Sequence, residues 1–166
     1  MQQKSRINNY PYLDTNIYIA TIKSEKDKSQ FCKLIFEKIL NNKNKKIIIS
    51  DLYKEEIKSV CKKKKLNAEI SIAYELTFLK NSQKIEITTN KTHTKIAKEI
   101  SKIFKKRIGE NEYNDCLHFI LAMESNAKYI ITDNISHFEE IKEIYKNKYN
   151  KTSIEIISPQ LAIENI

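Results

Sequence analysis

Four carboxylates stand where short apolar runs end or where a helix begins, and they are the chain's best candidates for chemistry. Asp14 closes the run Tyr10–Leu13, in Leu13-Asp14-Thr15-Asn16. Asp133 comes just after Tyr129–Ile131, in Ile131-Thr132-Asp133-Asn134. Glu56 follows Ile47–Ile49, in Ser50-Asp51-Leu52-Tyr53-Lys54-Glu55-Glu56-Ile57, and Asp115 lies in Glu112-Tyr113-Asn114-Asp115-Cys116-Leu117. Like charges repel, so gathering carboxylates in one place calls for a cation. An oxygen-only donor set, without Cys or His, points to Mg²⁺ or Mn²⁺ rather than zinc. Such an ion can activate water and neutralise a phosphodiester during in-line displacement.

Each acid also has a plainer role. Asp14 would serve equally as a helix N-cap. Asp115 opens a helix, where an acid is favoured electrostatically whatever its function. It lies off the apolar stripe Tyr113/Leu117/Ile120/Leu121, and Glu112 beside it reads as an ordinary helix-start acid. Asp133 and Asn134 together would build a turn or cap, while Thr132 offers a hydrogen bond to a neighbouring carboxylate. Helical geometry separates Glu55 from Glu56. Tyr53, Ile57, Val60 and Cys61 form the buried stripe; Glu56 lies at its edge and Glu55 points to solvent. The plainer role for Glu56 is pairing with one of the many lysines.

The elements that must position these acids are short strands alternating with helices. Strands are expected at Tyr10–Leu13, Ile47–Ile49, Ile85–Ile87, Tyr129–Ile131 and Ile154–Ile157, each apolar, bounded by polar residues and mostly β-branched or aromatic. Helical spacing recurs at Phe31/Ile35/Ile39, through Leu66–Leu79 and through Ile96–Phe104. Tyr113–Ala127 is apolar nearly all round, as in a helix buried against a sheet. Alternating strands and helices imply a parallel sheet covered on both faces. In such sheets, sites form beyond the carboxyl ends of the strands, where the strand order switches. One glycine and two prolines argue against a many-turned sandwich or barrel. No repeat or linker divides the sequence, so residues 1–166 read as one domain.

Charge suggests the partner. The formal net charge of +9 makes nucleic acid the leading class, against the plainer reading of a lysine-rich, solubilising surface. Lys62-Lys63-Lys64-Lys65 is a candidate RNA contact, as is Lys105-Lys106-Arg107; each reads more simply as a solvated helix end. His93, His118 and His137 are scattered without ligand spacing, and there is no glycine-rich phosphate loop. Three cysteines without a CxxC pair suggest neither a disulfide frame nor zinc, and a reducing, cytoplasmic setting fits them. No membrane association is expected, since no apolar stretch reaches membrane length.

In their order and spacing, the segments Leu13-Asp14-Thr15-Asn16, Ser50 through Glu56-Ile57, Asp115 through Ala122, and Ile131-Thr132-Asp133-Asn134 through Phe138 resemble the successive motifs of PIN domains. That resemblance implies a Rossmann-like α/β fold with a parallel sheet of about five strands. It implies an endoribonuclease dependent on Mg²⁺ or Mn²⁺. By the same match Asp14, Asp115 and Asp133 would be metal ligands, and Glu56 would hold a second ion or orient the attacking water. Many members are toxins of toxin–antitoxin pairs (VapC-like), and many form homodimers, so an antitoxin protein and a second copy join RNA as expected partners. Two departures stand out. Many members carry the last acid one residue later, where this chain has Asn134, so Asp133 is either a shifted ligand or no substitute. The stretch between Glu56 and Asp115 is long for a small toxin. Two other readings stand beside the ribonuclease: a catalytically weak PIN-like RNA-binding or interaction module, motivated by the shifted acid, and a flap-type or structure-specific DNA nuclease, which shares the chemistry.

Overall fold

The structure, a computed structural model, describes residues 8–23, 26–42, 44–63 and 83–166. The first half runs β1 (Asn8–Leu13), α1 (Thr15–Lys23), α2 (Lys26–Leu40), β2 (Lys46–Ser50) and α3 (Asp51–Lys63). The second half runs β3 (Gln83–Ile87), α4 (Lys91–Ile108), α5 (Tyr113–Glu124), β4 (Ala127–Ile131), α6 (Ile135–Tyr149), β5 (Glu155–Ile157) and α7 (Pro159–Asn165). The strands form one five-stranded sheet in the order β3-β2-β1-β4-β5. Every pairing in it is parallel. The order reverses between β1 and β4, which makes the carboxyl ends of these two strands the switch point. The five expected strands are all present, and the fold is the α/β arrangement that the alternation implied. The expected helix at Leu66–Leu79 lies outside the described residues.

Two apolar layers sandwich the sheet, and the pleat sorts side chains between them. Tyr12, Ile48 and Ile130 face a core shared with Ala97, Ile100 and Phe104 of α4, with Cys116 to Ala122 of α5, and with Phe138 and Ile141 of α6. Their neighbours Leu13, Ile47, Ile49, Tyr129 and Ile131 face the other way, onto Ile17 and Tyr18 of α1, Ile35 and Phe36 of α2, and Tyr53 and Ile57 of α3. The central strands are thus buried on both faces, which explains their continuous apolar runs. At the edge, Lys84 and Glu86 of β3 are exposed and paired at 2.8 Å. A charged rim of this kind discourages pairing with another sheet.

One helix ends earlier than expected. The apolar run Tyr113–Ala127 is helical only to Glu124. Asn126 takes a left-handed conformation with φ 54°, and Ala127 already opens β4. Asparagine tolerates that backbone, so a tight turn replaces the last helical turn. Among the described residues no helix is long and apolar enough to cross a membrane.

Candidate active site

Asp14 is the residue between β1 and α1, and it is 5% exposed. Its main-chain N–H donates to Ile131 O at 3.0 Å, which extends the β1–β4 ladder by one rung. Its carboxylate accepts two side-chain bonds at Oδ2, from Thr132 Oγ1 at 2.7 Å and from Asn16 Nδ2 at 2.8 Å. Thr132 in turn accepts the N–H of Asn134 at 2.9 Å. The loop after β4 is therefore folded around the end of β1.

Glu56 arrives from α3. That helix starts where expected, with Ser50 Oγ accepting the Tyr53 N–H at 3.2 Å as an N-cap. Tyr53 and Ile57 go into the core, Glu55 is exposed, and Glu56 stands at the edge of the buried face. Its Oε2 accepts from Thr15 Oγ1 at 2.5 Å and lies 2.8 Å from His118 Nε2; its Oε1 accepts from Asn114 Nδ2 at 2.7 Å. Asp115, in the first turn of α5, accepts from Asn134 Nδ2 at 2.9 Å.

Asp14, Glu56 and Asp115 line one cleft of about 320 Å³, together with Thr15, Asn16, Asn114, Asn134 and Lys63 among others. Asp133 does not line it. That residue is half-buried, and its N–H faces Asn16 Oδ1 at 3.5 Å; Asn134 occupies the cleft wall instead. Lys62 and Lys63 are exposed at the end of α3, and Lys63 is on the rim of the cleft. Lys64 and Lys65 lie outside the described residues. Arg107 pairs with Glu140 at 2.8 Å across helices α4 and α6. A larger cleft, about 690 Å³, opens at the far end of α5 beside His93, Tyr145 and Lys151, but Glu124 is the single acid lining it. Three of the four candidate acids meet in the smaller cleft.

Electrostatics set the three acids apart. Burial pushes the Asp115 carboxyl up to about 7, helped by the charges of Asp14 and Glu112. Burial also raises Asp14, against the opposing pull of His118 and the Thr132 hydrogen bond. Glu56 goes the other way. Its partial burial favours the neutral form, but the hydrogen bond and charge of His118, with Thr15 and Asn114, hold it below the usual range. Burial would depress His118, yet its bond to Glu56 and the charges of Asp14, Glu56 and Asp115 raise it. The site thus holds more negative charge than its own cations balance, which is what a bound divalent ion corrects. The donors on offer are carboxylate and carboxamide oxygens. His118 Nε2 is engaged by Glu56, and no cysteine is among the described lining residues. Donors of these types suit a hard cation such as Mg²⁺ or Mn²⁺; among the described residues, the ligand atoms already close enough to share one ion are those of Glu110, Glu112 and His137 on the flank.

Sequence reasoning missed two parts of this arrangement. His118 was one of three scattered histidines; a lone imidazole in an all-apolar helical run was its signal. His137 sits on the flank, with Nδ1 3.6 Å from Glu112 Oε1 and 3.9 Å from Asp115 Oδ2. It shares that edge with Glu110.

Comparison with known proteins agrees with this fold. A chain of the VapBC-1 structure from nontypeable Haemophilus influenzae superposes with a TM-score of 0.61 at 22% identity, over 91% of this chain and 98% of that one. A chain of DNA-bound VapBC from Salmonella typhimurium gives 0.61 at 20% identity, over 92% and 99%. A chain of VapBC2 from Rickettsia felis, bound to a promoter DNA fragment, gives 0.56 at 21% identity, over 90% and 98%. At such identities the likeness shows the fold alone. No protein of curated function matches the sequence. The PIN domain family model matches residues 12–144, from the end of the strand that precedes Asp14 into the helix that follows Asn134, and the chain belongs to the PIN domain family.

Proposed function

We propose that the chain is a metal-dependent endoribonuclease that hydrolyses phosphodiester bonds of single-stranded RNA. PIN domains are in general nucleases. The observation that carries the reading is the meeting of Asp14, Glu56 and Asp115 in one cleft, with two of the three held above their usual range. Asp14 and Asp115 would hold Mg²⁺ or Mn²⁺. When bound, such an ion supplies Lewis-acid charge to the phosphodiester and acidifies a water. Glu56, kept ionised by His118, Thr15 and Asn114, is suited to orient the attacking water and accept its proton. Asn16, Asn114 and Asn134 hold the carboxylates in place. Lys63 gives the rim a positive charge for the RNA backbone.

Likeness to the VapBC structures supports a role as the toxin of a toxin–antitoxin pair, with a small antitoxin protein as partner. A homodimer and a cytoplasmic location belong to the same proposal. A second reading has one specific observation behind it. Asn134 lines the cleft while Asp133 does not, and an amide adds no charge for a cation. A catalytically weak RNA-binding module would have such a site.

The test is cleavage of labelled single-stranded RNA with Mn²⁺, with Mg²⁺ and with EDTA, for the wild type and for Asp14→Asn. Cutting that needs the metal and falls at least ~100-fold in the variant supports the nuclease. RNA binding without cutting by either protein favours the module. Matched RNA and DNA substrates separate the ribonuclease from a DNA nuclease, because only RNA offers the 2′-OH.

A further inference from the structure

We propose that His118 is a positioning residue for Glu56, acting as the last link of a buried hydrogen-bond relay that begins at the start of α3. The inference rests on the nuclease reading of the cleft.

His118 lies in the middle of the buried run Cys116–Ala122 and is 1% exposed. An imidazole placed there is costly unless both nitrogens are bonded. Both are. Nδ1 is 2.6 Å from the Tyr12 hydroxyl, and Nε2 is 2.8 Å from Glu56 Oε2. Tyr12 is itself 1% exposed, and its hydroxyl lies 2.9 Å from Ser50 Oγ, the N-cap of α3. The Tyr12 and His118 rings meet edge to face, with centroids 5.7 Å apart and planes at 67°.

Counting donors gives the relay a direction. An ionised carboxylate only accepts, so Nε2 carries the proton that goes to Glu56. In the neutral ring, Nδ1 then accepts the Tyr12 O–H. The Tyr12 oxygen accepts the Ser50 O–H, and Ser50 Oγ already accepts the Tyr53 N–H. With the ring neutral each donor points towards Glu56; in the imidazolium Nδ1–H donates to the Tyr12 oxygen instead, and the Nε2–H bond to Glu56 is the same in both. The links belong to β1, β2, α3 and α5, so the carboxylate is tied through one chain of bonds to the ends of two central strands. Packing alone does not ask for an imidazole here, because the flanking positions are filled by Leu117, Phe119 and Leu121. Glu56 does need fixing. It is a flexible side chain, 19% exposed at the cleft; Thr15 shares Oε2 with His118, its hydroxyl 3.3 Å from Nε2, and Asn114 holds Oε1.

The test compares wild type, His118→Leu and His118→Gln, with folding checked by circular dichroism. The first readout is kcat and KM for labelled single-stranded RNA with Mn²⁺. The second is the imidazole ¹H–¹⁵N spectrum of the metal-free protein, for wild type and Glu56→Gln. Loss of a supporting partner of this kind is expected to lower kcat about 10–100-fold in His118→Leu. KM should stay within about threefold, because RNA binding is not what the relay serves. His118→Gln, whose amide N–H stands in for Nε2–H, should recover most of the lost kcat. The Nε2 proton should be visible in the wild type and move in Glu56→Gln. Wild-type kcat in His118→Leu would overturn the proposal, and so would a folded His118→Gln as impaired as His118→Leu. If the wild type cuts no substrate, the nuclease reading falls and the spectrum alone judges the relay: an Nε2 resonance unmoved in Glu56→Gln overturns it.

Discussion

Asp115 is protonated in the fold at pH values where the unfolded chain has already released that proton. Its carboxyl is raised to about 7 from an ordinary 3.8. A raised acid contributes its full stability below the ordinary value and loses it as pH climbs through the folded one. In EDTA, Asp115→Asn should therefore melt increasingly above the wild type from about pH 4 to about pH 7, and the gap should level off beyond. Thermal melts across that range check it; a gap that does not change with pH would contradict the assignment. Mg²⁺ or Mn²⁺ should close the gap by stabilising the wild type selectively. At this scale Asp14 and Glu56 were legible, because strand ends and helix faces follow from apolar spacing. Asn134 against Asp133 was not, since adjacent residues after a strand differ in direction by a loop conformation that spacing does not encode. His118 was hidden for another reason. Its meaning depends on Tyr12, Ser50 and Glu56, which only the fold brings to it.

Helix α3 sets where Glu56 stands, and its start hangs on one hydroxyl. Ser50 Oγ caps the helix and also meets Tyr12. Ser50→Ala should cost about 1 kcal/mol for the lost cap. It also removes the donor to Tyr12, so kcat should fall more than RNA affinity does. Chemical denaturation and steady-state kinetics on the same preparation measure both; a stability loss with no change in kcat would separate the cap from the site. Strands were legible at this scale because burial on both faces leaves unbroken apolar runs. The end of α5 was not. Apolar character continues from helix into strand, and only the left-handed Asn126 marks the change. Helix α4 had clearer signals: Asn90 and His93 exchange bonds as a capping box, and Gly109 closes it with φ 91°. That box also accounts for His93 without any ligand.

The whole chain carries a formal charge of +9, with Lys62 and Lys63 exposed beside the acids. Binding of single-stranded RNA should weaken as salt rises, with a slope of about −0.7 in log K per phosphate neutralised. Lys62→Glu/Lys63→Glu should flatten that slope by about one to two contacts' worth. Fluorescence anisotropy at several salt concentrations reads it, and an unchanged slope would move the RNA path off the end of α3. The fold class was legible at this scale because alternation of short strands and helices leaves few topologies open. Surface charge was legible as a total but not as a map. The fold pairs Arg107 with Glu140 and leaves Lys63 on the cleft.

The hydrogen bond from the Asp14 amide to Ile131 O makes this candidate acid part of the sheet's own ladder. Its amide proton is sheltered by the two central strands, so its exchange with solvent deuterons waits on their separation. A site built on loops can come apart in brief local fluctuations while the rest of the protein stays intact. Here the backbone beneath Asp14 has the lifetime of the β1–β4 pair. On heating, this acid leaves its place when the core does, and the loss of the site and the loss of the fold become one event.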